Sequence, residues 1–327
     1  MTAPVLEVTD LAVHFPGRTG APVRAVDGVS FAVAPGETLG LVGESGCGKS
    51  TVSNAVVGLV TPTSGSLRVM GTEMAGATRA TKHEIRARVQ MVFQDPVTSL
   101  NPRMSVGAAV GEPLLVRGLA SGAALRTRVS ELLEEVGLRP EHAQRYPHQF
   151  SGGQRQRIVI ARALALRPDL LVCDEPVSAL DVSVRAQILN LLVELQHRRG
   201  MASLFVSHDL AVVRHVCDRV AVMYLGRLVE LAPRDALFAA PRHPYTSALL
   251  ASVPEPDPVA QRAKPRIPLA GEIPSPSNPP PGCTFHTRCP FATERCRQEV
   301  PTWRPLGESM VACHHAEALA PNARNAP

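Results

Sequence analysis

The sequence predicts an α/β fold around a largely parallel, doubly wound sheet. Three observations carry that expectation. Short apolar runs alternate with stretches of helical spacing, the order left by repeated strand–helix units. A glycine-rich run, Gly43-Glu44-Ser45-Gly46-Cys47-Gly48-Lys49-Ser50-Thr51, lies directly between one such strand and one such helix. A block of helical pattern over residues 97–165 interrupts the alternation and reads as a helical subdomain.

The elements follow in order. Residues 5–13 read as a strand in which Val5, Glu7, Thr9, Leu11 and Val13 alternate with other residues. Residues 29–33 and 38–42 are two further strands, and the second runs into the glycine loop, with helix expected over 49–59. Residues 88–93 form a strand ending at Gln94-Asp95-Pro96. In the helical block, 126–136 has Val129, Leu132, Leu133 and Val136 at helical spacing, and 154–166 has Ile158, Ala161 and Leu164 so spaced. Residues 170–173 are a short apolar strand ending in Asp174-Glu175. Residues 184–195 form an amphipathic helix, 203–207 a strand ending at His208-Asp209, and 220–224 a last strand.

Composition shifts after Val253. Residues 254–281 hold ten prolines and read as an extended linker or a wrapping arm. Residues 282–315 carry Cys283, Cys289, Cys296 and Cys313 and read as a small appended Cys-rich module. The expected domains are residues 1–253 and residues 254–327.

Bulk properties bound the function. Aromatics are 4% of the chain while hydrophobic residues are 45%, so the core must be mainly aliphatic. A net charge of +5 suits a polyanionic nucleotide or an acidic membrane surface and is too weak to argue for nucleic acid. Residues 1–15 lack the pattern of a secretory signal, and no run approaches the roughly 20 apolar residues that span a bilayer. Any membrane role is therefore expected to run through a partner, and a disulfide framework is not expected.

The glycine loop fits G-x-x-x-x-G-K-[ST] in the strand–loop–helix context that pattern requires. Gly43, Gly46 and Gly48 let backbone N–H groups curl around phosphates, and the helix behind them turns its N-terminus to the same charge. Lys49 is expected at the β- and γ-phosphates, Ser50 on Mg²⁺ and Thr51 at the α-phosphate. Asp174 and Glu175 end an apolar strand, where an acid can hold the Mg²⁺ shell and its neighbour can orient or deprotonate a water. Taken alone they are equally a charged pair facing solvent. Gln94 and His208 gain weight only from this company; His208 is otherwise an ordinary helix-start residue.

These residues, with Phe150-Ser151-Gly152-Gly153-Gln154 and Ser178-Ala179-Leu180-Asp181, occur in the order of an ABC transporter ATPase subunit. The resemblance covers residues 5–253. It implies that Ser151, Gly152, Gly153 and Gln154 cap the γ-phosphate held by an opposite subunit. It implies that Glu175 is the catalytic base and His208 a γ-phosphate contact. Gln94 would be a Mg²⁺-shell residue and sensor facing membrane subunits, and Asp181 would lie at the dimer seam. Phe150 stands where that family usually has leucine. An aromatic that stacks on adenine is expected upstream, and Phe15 is the candidate.

Phe93-Gln94-Asp95-Pro96, Ser99-Leu100-Asn101-Pro102, His243-Pro244-Tyr245-Thr246 and the region from Gly282 to Cys313 further resemble the oligopeptide/dipeptide importer ATPases, and Asp174 to Asp181 the second of their paired subunits. This resemblance implies ATP and Mg²⁺ as ligands and a heterodimer with a sister ATPase. It also implies two permease subunits, an external solute-binding protein and a peripheral location on the cytoplasmic face of the membrane. Nickel and glutathione importers share the type, and a soluble ABC ATPase acting on nucleic acid is the alternative from another class.

The spacing Cys283-x5-Cys289-x6-Cys296-x16-Cys313 supplies four thiolates, enough for a cubane iron–sulfur cluster or a tetrahedral zinc, with free or disulfide-bonded cysteines as the plain alternative. The resemblance favours [4Fe–4S]. His286, His314 and His315 are further zinc-ligand candidates, whereas Cys47, Cys173 and Cys217 read as packing residues.

Overall fold

The computed structural model describes residues 3–17, 20–254, 257–263 and 271–318. Strands β1 (Leu6–Phe15) and β2 (Val23–Val33) pair antiparallel, and β3 (Thr38–Val42) leads through the glycine loop into helix α1 (Lys49–Val56). Strands β4 (Ser64–Val69) and β5 (Thr72–Glu73), helix α2 (Arg79–Arg88) and strand β6 (Val89–Val92) follow. A helical block then runs through α3 (Pro96–Ser99), α4 (Val106–Val116), α5 (Gly122–Glu135) and α6 (Gly152–Leu164). The chain returns as β7 (Leu170–Asp174), α7 (Val182–Arg199), β8 (Ala202–Ser207), α8 (Leu210–Val216), β9 (Arg219–Tyr224) and β10 (Arg227–Pro233). It ends with α9 (Arg234–Ala239), α10 (Pro244–Ser252), α11 (Pro258–Ala263), α12 (Glu294–Gln298), β11 (Arg304–Leu306) and β12 (Ser309–Val311).

The main sheet has the order β11-β12-β10-β9-β3-β8-β7-β6. Its heart, β9-β3-β8-β7-β6, is parallel. Every residue of β3, β7 and β8 is buried, as expected for strands covered on both faces. Alternate side chains feed two cores. Leu39, Leu41, Leu170, Val172, Leu204 and Val206 pack with the small sheet and α1. Val42, Leu171, Cys173 and Phe205 pack with the helical block and α7.

Three expectations need correction. The fold is not a doubly wound sheet alone: β2-β1-β4-β5 form a second, antiparallel sheet. Strand β4 begins Ser64-Gly65-Ser66 and shows no clear alternation, so its pattern is silent. The alternation in β1 also misleads, because the register shifts between Val8 and Leu11, where Asp10 takes φ 47°. This bulge puts Leu6 and Val8 inward before it and Leu11 and Val13 inward after it. Ser30 Oγ accepts from Asp10 N at 2.8 Å, and a Cβ on Gly65 would lie 2.3 Å from Asp10 O, so the bulge requires glycine beside it.

The Cys-rich segment is not a free-standing module. Strand β12 pairs antiparallel with β10 (Glu230 with Val311, Leu231 with Met310), and β11 extends the same sheet. Phe285, fully buried, belongs to the main core. Of the proline-rich stretch, residues 255, 256 and 264–270 lie outside the described residues. Its later part returns to the body, where Arg24 N donates to Pro276 O at 3.0 Å.

Candidate nucleotide site

The glycine loop sits between the central strand β3 and the N-terminus of α1. The close approach of neighbours dictates its glycines. A Cβ on Gly48, at φ 108°, would lie 2.1 Å from Ala25 O, and one on Gly43 2.2 Å from Met223 O. Lys49 is buried, and its ammonium donates to Gly43 O at 2.8 Å and Glu44 O at 3.0 Å. The loop's own carbonyls thus hold the cation where phosphate oxygens can replace them.

Three strand ends converge beside the loop. Ser50 Oγ donates to Asp174 Oδ1 at 3.2 Å, joining α1 to β7. Burial pushes the Asp174 carboxyl up, opposed by the Ser50 hydrogen bond, and the adjacent Glu175 charge raises it further. Glu175 takes φ 47°, a left-handed conformation uncommon for glutamate, and its N–H donates to Val206 O at 3.0 Å. Its carboxylate accepts from Gln94 Nε2 at 3.1 Å on one oxygen and faces His208 Nδ1 at 3.0 Å on the other. The structure therefore joins Gln94 after β6, Glu175 after β7 and His208 after β8.

A cavity of about 280 Å³ opens here, lined by Val23, Ala25, Lys49, Ser50, Thr51, Gln94, Glu175 and others of the loop. Ser151, Gly152, Gly153 and Gln154 do not line it. They form the start of α6, where Ser151 Oγ accepts from Gln154 N and Ser151 N donates to Gln154 Oε1, a capping box. Ser151 and Gly152 are exposed, and a Cβ on Gly153 would lie 2.3 Å from Val184 Cγ1. The first residues of this helix are thus exposed and lie outside the lining of the chain's own cavity. Asp181 is the exposed N-cap residue of α7. Phe15 does not line the cavity either; it is paired with Val23, which does.

Sequence reasoning missed a set of contacts on the loop from the C-terminal part. Glu44 N donates to the Tyr245 hydroxyl at 2.9 Å, and the Glu44 carboxylate receives both Arg288 Nη atoms at 2.6 and 3.1 Å. Tyr224, Tyr245, His243 and Phe285 form one buried ring cluster with centroid separations of 4.8–5.6 Å. Burial drives the His243 imidazole down to about 3, so it is neutral and accepts from Tyr245 N at 3.1 Å. The only sequence signal was His243-Pro244-Tyr245-Thr246, which assigned no role to its tyrosine.

The seven cysteines are all free. Cys283 N donates to Cys296 O at 2.8 Å, and the Cys296 thiol lies 3.4 Å from His315 Nε2. Burial pushes the Cys313 thiol up to about 12. Among the described residues, no group of three or more His, Cys, Asp or Glu side chains is arranged to hold a metal ion, so neither the expected [4Fe–4S] cluster nor the zinc alternative with its histidines gains support.

A phosphate-cradling loop after a central parallel strand, with acids at the adjacent strand end, defines a P-loop nucleoside triphosphatase. Comparison with known proteins narrows the class. The profile "ABC transporter" matches residues 26–178, and "Oligopeptide/dipeptide transporter, C-terminal region" matches residues 229–296. The chain is 54% identical over 320 residues to the di/tripeptide transport ATP-binding protein DppF of Pseudomonas aeruginosa, covering 96% of this chain and 98% of that one. It is 49% identical to the oligopeptide transport ATP-binding protein OppF of Salmonella typhimurium, covering 96% and 97%. Among solved structures it resembles the ATP-binding cassette MJ0796 in a dimeric post-hydrolysis state with ADP and phosphate. That match has a TM-score of 0.64 and 30% identity over 70% of this chain and 98% of the other. The chain belongs to the ABC transporter family, among the ATPase subunits that carry the oligopeptide/dipeptide transporter C-terminal region. No helix among the described residues is long and apolar enough to cross a membrane.

Proposed function

We propose that this subunit hydrolyses ATP to drive import of di- and oligopeptides through partner permease subunits, on the cytoplasmic face of the membrane. The observation that carries the chemistry is Glu175, held at a strand end by Gln94 and His208 beside the Ser50–Asp174 pair and the loop cavity. Lys49 exchanges its carbonyl partners for the β- and γ-phosphates. Ser50, Asp174 and Gln94 supply oxygen donors suited to Mg²⁺, and Ser50 and Asp174 already lie within hydrogen-bond distance of each other. When bound, Mg²⁺ neutralises charge on the β- and γ-oxygens. Glu175 orients and deprotonates the attacking water once nucleotide draws away one of the two side chains that occupy its oxygens. His208 then contacts the γ-phosphate, and Phe15 approaches adenine from beside Val23.

The second half of each site comes from elsewhere. Ser151, Gly152, Gly153 and Gln154 cap the γ-phosphate of a sister subunit, with Asp181 at the seam, because the start of their helix is exposed and lies outside the lining of the chain's own cavity. A non-identical sister ATPase, two permeases and a solute-binding protein complete the machine, and closure of the two ATPases around ATP drives the permeases between states. The helical subdomain at about 97–165 carries the second motif and serves as the lever; residues 1–253 act as the ATPase unit, with the described part of residues 254–327 packed onto it. Peptide cargo rests on the relatives at about 50% identity.

The transporter, reconstituted with its permeases, tests this reading. Glu175→Gln is expected to retain ATP and stop uptake of labelled dipeptides. Undiminished turnover would remove Glu175 from its role, and uptake of glutathione or nickel without peptide would replace the cargo.

We further propose that Cys283, Cys289, Cys296 and Cys313 hold an iron–sulfur cluster. The support is the donor set: four free cysteines in one segment, with Cys283 N hydrogen-bonded to Cys296 O. Such a cluster would supply a covalent tie across the segment. Anaerobically isolated protein should be brown and contain iron and sulfide; colourless protein without iron would sink the assignment.

A further inference from the structure

We infer that Arg288 is a positioning residue for the glycine loop, so that the C-terminal segment sets the affinity of the site for ATP. The inference rests on the assignment of loop 43–51 to the phosphates. Glu44, the second loop residue, is fixed from three directions, two of which come from the C-terminal part of the chain. Its N–H donates to the Tyr245 hydroxyl. Its carboxylate takes both Arg288 nitrogens in a fork-to-fork pair. Its carbonyl accepts from Lys49 Nζ.

The anchor is itself immobilised. The Arg288 side chain is only 6% exposed, and its guanidinium lies over the Tyr224 ring at 5.8 Å. The Arg288 N–H donates to Phe285 O, which ties the residue to the buried ring cluster. The same segment reaches the cavity directly, because Pro276 lines it. A paired charge in so dry a position has one stable geometry, and that geometry dictates where the Glu44 carbonyl, and hence the parked Lys49 ammonium, sits. Arg288 does not line the loop cavity. Its effect is expected in ground-state binding, before the chemical step.

The test uses the full-length chain with its partner subunits and MgATP as the probe. Arg288→Met is expected to raise the Kd and KM for MgATP at least tenfold while kcat at saturating MgATP stays within about twofold. Arg288→Lys, which keeps the charge and loses the fork, is expected to fall between them. A scaffold role alone would lower the melting temperature and the active fraction and leave KM unchanged, which overturns the inference. If Arg288→Met does not fold, the Lys variant decides: wild-type KM there refutes the positioning role, and a raised KM supports it. Lys49→Ala separates this from the underlying reading. Wild-type MgATP binding by Lys49→Ala overturns the loop assignment itself. Loss of binding there with none in the Arg288 variants overturns only the present inference.

Discussion

Acid should loosen this protein through His243, and the size of the effect follows from its burial. The imidazole is fully enclosed, with its proton affinity pushed down to about 3 from an ordinary 6.5. In the unfolded chain it titrates near 6.5, so below that value the unfolded state binds a proton that the folded state refuses. Stability is whole above pH 6.5 and falls as pH drops toward 3. Each pH unit in that window costs about 1.4 kcal/mol, and the full window about 5 kcal/mol. That is comparable with the whole stability of many domains, about 5–15 kcal/mol. The buried Glu230, which accepts from Arg242 N and His243 N, runs the other way. Burial raises its carboxyl, so its contribution is present at low pH and lost as pH rises through its raised value; Glu230→Gln removes it. The informative variant is His243→Asn, which keeps an acceptor for Tyr245 N and cannot titrate. Denaturant unfolding at pH 7.5 and pH 5.0 would be compared for the two proteins. The variant starts lower, having lost its ring contact with Phe285, but wild type should lose about 2 kcal/mol more between the two pH values. Equal losses would refute the reasoning.

Other expectations can be checked with single variants. Asp174→Asn removes a buried carboxylate whose raised proton affinity makes its ionised form a cost to the empty fold at neutral pH; thermal melting without nucleotide should rise by a few degrees, about 2–4 °C per kcal/mol at this size, while hydrolysis is lost. Gly153→Ala drives a Cβ into Val184, so hydrolysis in the assembled transporter should fall more than about tenfold while the Kd for ATP at the chain's own loop stays within twofold. Phe285→Ala empties the middle of the ring cluster and should cost about 3–5 kcal/mol in denaturant unfolding.

The parallel heart of the fold was legible because β3, β7 and β8 are apolar runs ending in polar residues, a pattern that burial on both faces imposes. The small sheet was not, because β4 is short and rich in glycine and serine, and the bulge at Asp10 reverses the parity of β1. The glycine loop and the capped start of α6 were legible because local backbone geometry demands their residue types, whereas the acids gained weight only from lying at a strand end in the company of that loop. Gln94 and His208 carried little signal alone; only folding reveals that both meet Glu175. Arg288 was invisible for a related reason. One arginine among several in a Cys-rich stretch looks like any surface cation, and its partner is 244 positions away. Sequence separation also hid the union of β12 with β10, in which Glu230 pairs with Val311 and the tail becomes part of the main sheet rather than an appendage.

The 244 positions between Glu44 and Arg288 also have a meaning in time. Joining two points so far apart adds little to the equilibrium cost, because loop closure grows only logarithmically with length. At ribosomal speeds of 5–20 residues per second, however, roughly 10–50 s separate the appearance of Glu44 from that of Arg288. A nascent chain therefore displays the glycine loop long before the residue that fixes it has been made. A product cut short by a premature stop would keep the whole motif and lack its anchor. On the proposed role of Arg288, readiness to take nucleotide waits for synthesis of the C-terminal segment.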